Sequence, residues 1–477
     1  MSAPWAEDEL ATVALGDKRL DARAVTLLSA LGKRPNLSIP AACRGRAEIK
    51  AAYSFFENDK VTFDKVVASH LTCTRRRMAA HPVVLLVQDT TETDLTRPHQ
   101  QVAGAGPLDT AARRGGFLHP LHAFTPDGTP LGTAWCQFWT RDDDSLDRPK
   151  EDRRRRRKAA PIEDKESLRW LEGLRAARDL AQELPRVRCV CVADSEADVY
   201  EVFAEPRGAR PVDWLIRACQ DRALVGAGGG RVRDAVLATQ ALYQVELTVR
   251  GRQAKTAAED RARRQSRVTR QATVEVRAGA VTLRPPPRPD RRLPPVAVNV
   301  VLVREVDPPP GETPVEWLLV TTLPIDTPEA VRTVVAYYCV RWGIEVLFRV
   351  LKSGCRIERR RFERLEHLLP CLGVYLIVAW RTLFVCHLGR ECPDLDCELL
   401  FEPAEWKAVW VAVHNRQPPA QAPSLSEMVP LIASLGGYIA RRGSEPGAQA
   451  MWIGMQRMYD LAWGWERFGP GAKIPSS

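Results

Sequence analysis

Four side chains of different chemistry recur at helical spacing in one short stretch: Tyr338, Arg341, Glu345 and Lys352. At 100° per residue they fall at about 0°, 300°, 340° and 320°, a single narrow stripe of a helix. A phenol, a guanidinium and an ammonium can each donate to phosphate oxygens, and a carboxylate can hold a metal ion. The stripe therefore suits phosphodiester chemistry. Taken alone, it also fits an Arg341–Glu345 pair at i,i+4 with two bystanders. Two further carboxylates stand just beyond apolar runs. Val83–Val87 leads through Gln88 into Asp89-Thr90-Thr91, and Val187–Ala193 leads into Asp194-Ser195-Glu196-Ala197-Asp198. Either aspartate by itself also reads as a helix cap or turn former. Two strand-end aspartates and a helix glutamate together make the donor set that holds two Mg2+ ions for in-line attack on a phosphodiester.

The elements that must position these groups are legible beside them. Val340, Ile344, Leu347 and Leu351 give the Tyr338–Lys352 helix a face for the core. Continuous apolar runs of this length suit strands covered on both faces, and a carboxylate just past such a strand reaches the cleft at the end of the sheet.

On these residues the chain resembles the DDE transposases of bacterial insertion sequences, the insertion-sequence-four family, in the branch that includes the transposon-five transposase. That branch carries Y-x2-R-x3-E-x6-K, which Tyr338, Arg341, Glu345 and Lys352 fit without a gap. Its first motif, D-T-T, matches Asp89-Thr90-Thr91, and its second, D-x-E-A-D, matches Asp194 to Asp198. The resemblance implies that Asp89, Asp194 and Glu345 are the catalytic metal ligands, and that Tyr338, Arg341 and Lys352 grip DNA phosphates. It further implies DNA contacts by Arg217 and Arg222. Trp317, 21 residues before Tyr338, stands at the spacing where the family stacks a Trp on a flipped base. On a strand beside Leu318 and Leu319, the same Trp also reads as core.

Composition sets outer limits. The 477 residues have 45% apolar and 27% charged side chains, a soluble globular balance, and are long enough for two to four structural units. A net charge of +10 and a pI near 9.1 suit a polyanionic partner. The expectation is a soluble cytoplasmic protein of a bacterium, working at the nucleoid, with no secretory signal and no membrane partner. Twelve scattered Cys, two of them inside an apolar strand, favour reduced thiols over a disulfide framework. Cys386, His387, Cys392 and Cys397 cluster, but at a spacing that fits no common zinc pattern.

Along the chain, residues 1–70 read as a helical unit. Asp17 is placed to cap a helix whose Arg19 and Arg23 lie on one side; Lys33-Arg34, Ser38-Ile39-Pro40 and a helical run from Ala47 to Phe56 follow. In the resembling family this region, with its G-D-x-R-x3-R pattern, binds the transposon's terminal repeat. Residues 71–370 read as an α/β mixed-sheet core, which the resemblance implies is ribonuclease-H-like. About 150 positions separate Asp194 from Glu345, too many for one connection. They contain strand-like runs at Tyr243–Arg250, Ala272–Arg277, Val296–Arg304 and Trp317–Thr321, read as a β-rich insertion over about 215–325. Basic loops stand at Arg153–Lys158 and Arg261–Arg270, and a Pro-rich one at Pro285–Pro295. Arg359-Arg360-Arg361 reads as a continuation of the basic surface, with Arg361 a DNA contact. Residues 371–477 read as a helical C-terminal domain, rich in Trp and Met, which the family uses to dimerise.

The expectation drawn from all of this is a metal-dependent cut-and-paste DNA transposase, using Mg2+ with Mn2+ as a substitute. Its partners are double-stranded DNA, as transposon ends and target, and a second copy of the chain. The alternatives are a ribonuclease-H-like nuclease without strand transfer and a catalytically silent DNA-binding derivative.

Overall fold

Six residues with no charge among them, Val83–Gln88, form strand β1, and all but the first are buried. This is the continuous apolar run expected of a strand covered on both faces. A computed structural model of the chain describes residues 3–43, 45–143, 151–152, 155, 160–208, 210–226, 229–249, 269–288, 290–440 and 445–470. The chain is mixed α/β, with eleven strands among the described residues and helical segments before and after them in sequence, as the ribonuclease-H-like reading expects. It divides into two units. One comprises Met1–Val84, Asp89–Lys150 and Trp342–Ser477; the other comprises Leu85–Gln88 and Glu151–Arg341.

The first unit opens with helices α1 (Pro4–Glu9), α2 (Lys18–Lys33), α3 (Ile39–Ala42), α4 (Arg46–Phe56) and α5 (Phe63–Met78). Asp17 caps α2 as expected, its carboxylate accepting from the Arg19 N–H at 2.8 Å. Strands β2 (Thr91–Asp94), β3 (Gly106–Pro107) and β5 (Pro130–Trp139) belong with β4 (Arg114–Phe124), each pairing with it antiparallel. The 27-residue helix Leu365–Glu391 packs on α2, α5 and β5. Its Leu365–Arg390 stretch is long and apolar enough to cross a bilayer, but it is mostly buried inside the protein, as a core helix is. Close approach is possible because Gly373 carries no side chain: a Cβ there would meet Val66 and Val67 methyls at 3.2 Å. Farther on, Gly436 and Gly454 let the Leu425–Leu435 and Ala448–Phe468 helices touch backbone to backbone, since a Cβ at either would lie 1.9 Å from a carbonyl oxygen. Trp406, Met428, Met451 and Met458 are buried in that C-terminal cluster, whereas Ile439 and Phe468 are exposed.

One buried polar cluster ties the N-terminal helices to β5. Glu9 takes Arg77 through both guanidinium nitrogens, at 2.9 and 3.0 Å, and His70 Nδ1 at 2.5 Å; His70 Nε2 accepts the Thr133 N–H at 3.0 Å. Burial pushes the Glu9 carboxyl up, but His70 and Arg77 overcome it and hold it at about 2.

In the second unit the strand order is β1, β6 (Arg188–Ala193), β7 (Asp213–Ala218), β11 (Glu316–Thr321), β10 (Val296–Glu305), β9 (Arg270–Leu283) and β8 (Tyr243–Val249). β6 and β7 run parallel, and β7 through β8 are joined antiparallel. The β-rich segment therefore extends the sheet by four strands beyond β7. Most of the basic stretch Arg261–Arg270 and all of Arg153–Lys158 except Arg155 lie outside the described residues.

The boundaries expected near residues 70 and 370 both fall inside helices, α5 and Leu365–Glu391.

Candidate active site

Asp194 emerges from β6 with one oxygen capping the short turn Ser195–Ala197, accepting the Glu196 N–H at 2.8 Å. Its other oxygen has no hydrogen-bond partner among the described residues. The cap reading and the ligand reading are thus compatible. Four residues on, Asp198 is wholly buried. It accepts the N–H groups of Cys219 and Gln220, both at 2.8 Å, and pairs with Arg222, whose Nε lies at 3.0 Å. Arg222 also donates to the Asp198 carbonyl and lies over the rings of Tyr200 and Phe203. Expected as a DNA contact, Arg222 is largely committed to holding the loop after Asp194 against the end of β7.

The same unit brings together Arg217, Trp317, Tyr338 and Arg341. Arg217, on β7, donates to the Ser195 hydroxyl at 3.3 Å. Trp317, on β11, is half-buried and meets the Tyr338 ring edge-on, with centroids 5.5 Å apart. Tyr338 lies on the helix Pro328–Val340, and Arg341 continues it with helical angles, its cation 5.8 Å from the phenol ring. The Tyr338 hydroxyl is buried with no hydrogen-bond partner in good geometry among the described residues. Burial pushes this phenol up; the charges of Arg217 and Arg341 pull it back, and Asp194 pushes it up again. A buried, neutral O–H donor beside two guanidiniums lacks only an acceptor.

In the first unit Asp89 accepts the Thr90 N–H at 2.7 Å, and the Thr90 hydroxyl meets His119 Nδ1 at 2.8 Å. Just beyond, Arg113 gathers Glu92, Asp94 and Asp109. Glu345 is half-buried on the helix Trp342–Arg349, whose Ile344 and Leu347 face the core as expected. Lys352 departs from the ideal stripe, because Val350–Gly354 forms a π-turn, wider than an α-turn, which alters the phase of every residue on it. Its ammonium lies 3.5 Å from Glu358, and Glu358 also accepts the Asp94 N–H at 3.1 Å. Glu358 and Arg113 had no motif to announce them; Glu358 acts through a contact with Asp94, far away in sequence.

Arg360 corrects the reading of Arg359–Arg361 as one basic surface. It is 4% exposed, and its guanidinium donates to the carbonyls of Pro35, Leu37 and Cys355. Arg361 is exposed. In the N-terminal helices Arg19 is exposed, and Arg23 pairs with Glu48 at 2.7 Å.

Asp89 and Glu345 thus belong to one unit and Asp194 to the other. Among the described residues no three His, Cys, Asp or Glu side chains are grouped so as to hold a metal ion. The chemistry of the donors nonetheless suits Mg2+, a hard cation that takes carboxylate oxygens and water.

Three family models match the chain in succession. Residues 2–61 match "Transposase DNA-binding", 173–369 match "Transposase DDE domain", and 377–467 match "Transposase Tn5 dimerisation domain". Asp194 and Glu345 fall inside the second match, and Asp89 precedes it. Among solved structures, a piggyBac transposase synaptic complex with hairpin DNA aligns over 98% of this chain and 79% of that one, at 8% identity and a TM-score of 0.35.

Proposed function

The chain belongs to the Tn5-like DDE transposases, and on that premise we propose that it performs cut-and-paste transposition with Asp89, Asp194 and Glu345 as its catalytic carboxylates. Its matched domains indicate DNA binding and dimer formation. The finer reading is that the DNA is the transposon's own ends and then a target duplex, engaged by a dimer in the bacterial cytoplasm.

The observation that carries this reading is the buried Tyr338 hydroxyl without an acceptor, set beside Arg217, Arg341 and the carboxylate of Asp194. A phosphodiester oxygen supplies the missing acceptor, and the two guanidiniums balance its charge. Tyr338, Arg341 and Lys352 hold backbone phosphates, which fixes the scissile bond relative to the carboxylates. Arg19 and Arg23 engage the end repeat, and Arg217 and Arg361 engage the backbone. Arg222 contributes by anchoring Asp198. Members of this family use divalent metal ions. Asp89, Asp194 and Glu345 would hold Mg2+ or Mn2+, which when bound supplies Lewis-acid stabilisation of the attacking and leaving oxygens.

In the first step a water oxygen bonds to phosphorus and the 3′ oxygen leaves as a hydroxyl. That hydroxyl then attacks a phosphodiester of the opposite strand, closing a hairpin; hydrolysis reopens it, and transesterification joins the end to target DNA. Trp317, half-buried beside Tyr338, is the aromatic ring on which a base flipped out at the bend stacks.

The test uses the purified chain, duplex DNA carrying the element's ends, and Mg2+. Asp89→Asn, Asp194→Asn and Glu345→Gln should each lower first-strand nicking by on the order of a thousandfold or more, since each removes part of a stabilisation of several kcal/mol. End binding should persist in all three. Nicking that survives any one of them overturns the carboxylate assignment. Nicking by the wild type with no joined product identifies a nuclease without strand transfer, and binding without nicking identifies a silent derivative.

A further inference from the structure

Arg97 lies in the loop that follows β2, a stretch no motif marks. It is half-buried, and its Nη2 donates to the carbonyl oxygen of Arg360 at 2.9 Å. That carbonyl belongs to the peptide bond leading into Arg361, so covalent geometry sets the Arg97 guanidinium against the backbone of Arg361. The two loops are stitched together beyond this point. The Ala103 N–H donates to the Glu363 carbonyl, and the Leu365 N–H donates to the Ala103 carbonyl, each at 2.8 Å. Backbone bonds therefore fix the two loops that carry Arg97 and Arg361 against each other.

Charge at this spot is unbalanced. None of Arg97, Arg360 and Arg361 has an ion pair with a carboxylate among the described residues. Arg360 is buried on three carbonyls, with its cation 4.3 Å from the Tyr375 ring centre and its Nε without a partner. The nearby Glu358 is occupied by Lys352 and the Asp94 N–H. Burial, and then the charge of Arg361, push the Arg97 guanidinium below its usual range. Buried or crowded cations without counter-charge cost stability, and an arriving anion offsets that cost.

We propose that Arg97 and Arg361 together clamp one phosphodiester of the DNA backbone, with the buried Arg360 adding its charge from behind. Two guanidiniums present planar pairs of N–H donors, a geometry that matches phosphate oxygens better than point charges do. The proposal rests on the reading of the chain as a DNA transposase. It adds Arg97 as a DNA contact and gives Arg361 a partner, sharing a single phosphate.

The experiment measures affinity for duplex end DNA by fluorescence anisotropy between 50 and 200 mM salt, a range chosen for its sensitivity to counterion release. It is run in the Asp89→Asn background so that cleavage does not intervene. Arg97→Ala and Arg361→Ala should each weaken binding by about tenfold and flatten the slope of log K against log salt by about 0.9, the value for one phosphate. The double variant should flatten it by the same amount and not by twice that, because one phosphate is shared. Arg97→Gln keeps a donor for the Arg360 carbonyl without the charge, and should behave as Arg97→Ala does; Arg97→Lys should retain most of the slope. An unchanged slope in Arg97→Gln overturns the clamp, and so does a double variant whose losses simply add. Those outcomes leave the transposase reading intact; that reading falls instead if the Asp89→Asn chain still nicks DNA.

Discussion

Around Asp194 a buried hydroxyl still lacks an acceptor, whereas around Asp89 the cations are already taken. Arg217 makes one weak contact to the Ser195 hydroxyl and, with Arg341, flanks a Tyr338 hydroxyl that has no acceptor. On the other side Arg113 holds Glu92, Asp94 and Asp109, and Lys352 holds Glu358. The first region offers an anion a hydroxyl donor that has no internal acceptor to give up. The second must exchange an internal carboxylate for a phosphate, so its contribution to DNA affinity is a difference between two similar interactions. A further contrast lies beneath the first region. Asp198 and Arg222 form a buried pair that fixes the loop carrying Asp194, whereas the Lys352–Glu358 pair is a quarter to a third exposed on both sides.

That contrast is broken most forcefully at Arg222. Arg222→Ala leaves the Asp198 carboxylate buried with two backbone N–H donors and no cation. Removing one partner of a buried pair costs about 3–5 kcal/mol, which for a unit of this size lowers Tm by about 6–20 °C. Calorimetry of the variant checks this, alongside end binding at a temperature where it remains folded. If Tm stays within about 2 °C of the wild type, the pair is not what fixes the loop, and Arg222 returns to being a DNA contact.

The strengths and limits of sequence reading follow the same line. β1 and β6 were legible because an apolar run ending in an aspartate has few other meanings, and the Asp17 cap because its bond spans two residues. Asp198 stood in a motif, but its role appears only when Cys219 and Gln220 fold back onto it. Glu358 is a lone acid in a basic stretch until Asp94, more than 250 residues earlier, donates to it. Arg360 looked like surface because carbonyl acceptors such as those of Pro35 and Leu37 leave no mark in side-chain chemistry. The stripe that includes Lys352 requires 100° per residue throughout, and the π-turn at Val350–Gly354 departs from it.

Trp317 belongs to the Asp194 region, where it packs against Tyr338. It is half-buried and meets Tyr338 edge-on. Stacking on an aromatic ring recovers about 1–3 kcal/mol of the cost of flipping. Trp317→Ala should leave first-strand nicking near the wild-type rate while hairpin yield falls, by about tenfold for each 1.4 kcal/mol lost at the transition state. Both yields are read from one gel time course. A proportional fall in both, together with a lower Tm, assigns Trp317 to packing with Tyr338.

The smallest effect is expected where the cation is already taken, and its sign carries the information. An ion pair exposed to this degree is worth about 0.2–1 kcal/mol. Glu358→Gln keeps an acceptor for the Asp94 N–H but removes the charge that competes for Lys352. Binding to end DNA should therefore tighten, by up to about fivefold, at low salt. Lys352→Ala should weaken binding, and in that background Glu358→Gln should have no effect, because no ammonium remains to release. The four proteins form a double-mutant cycle, measured by anisotropy at one salt concentration. If Glu358→Gln instead weakens binding, and does so only when Lys352 is present, Glu358 aims the ammonium at its phosphate and does not compete for it. The Asp89 side would then be as preorganised as the Asp194 side, with its cation held in place by the same carboxylate that fixes the end of β2.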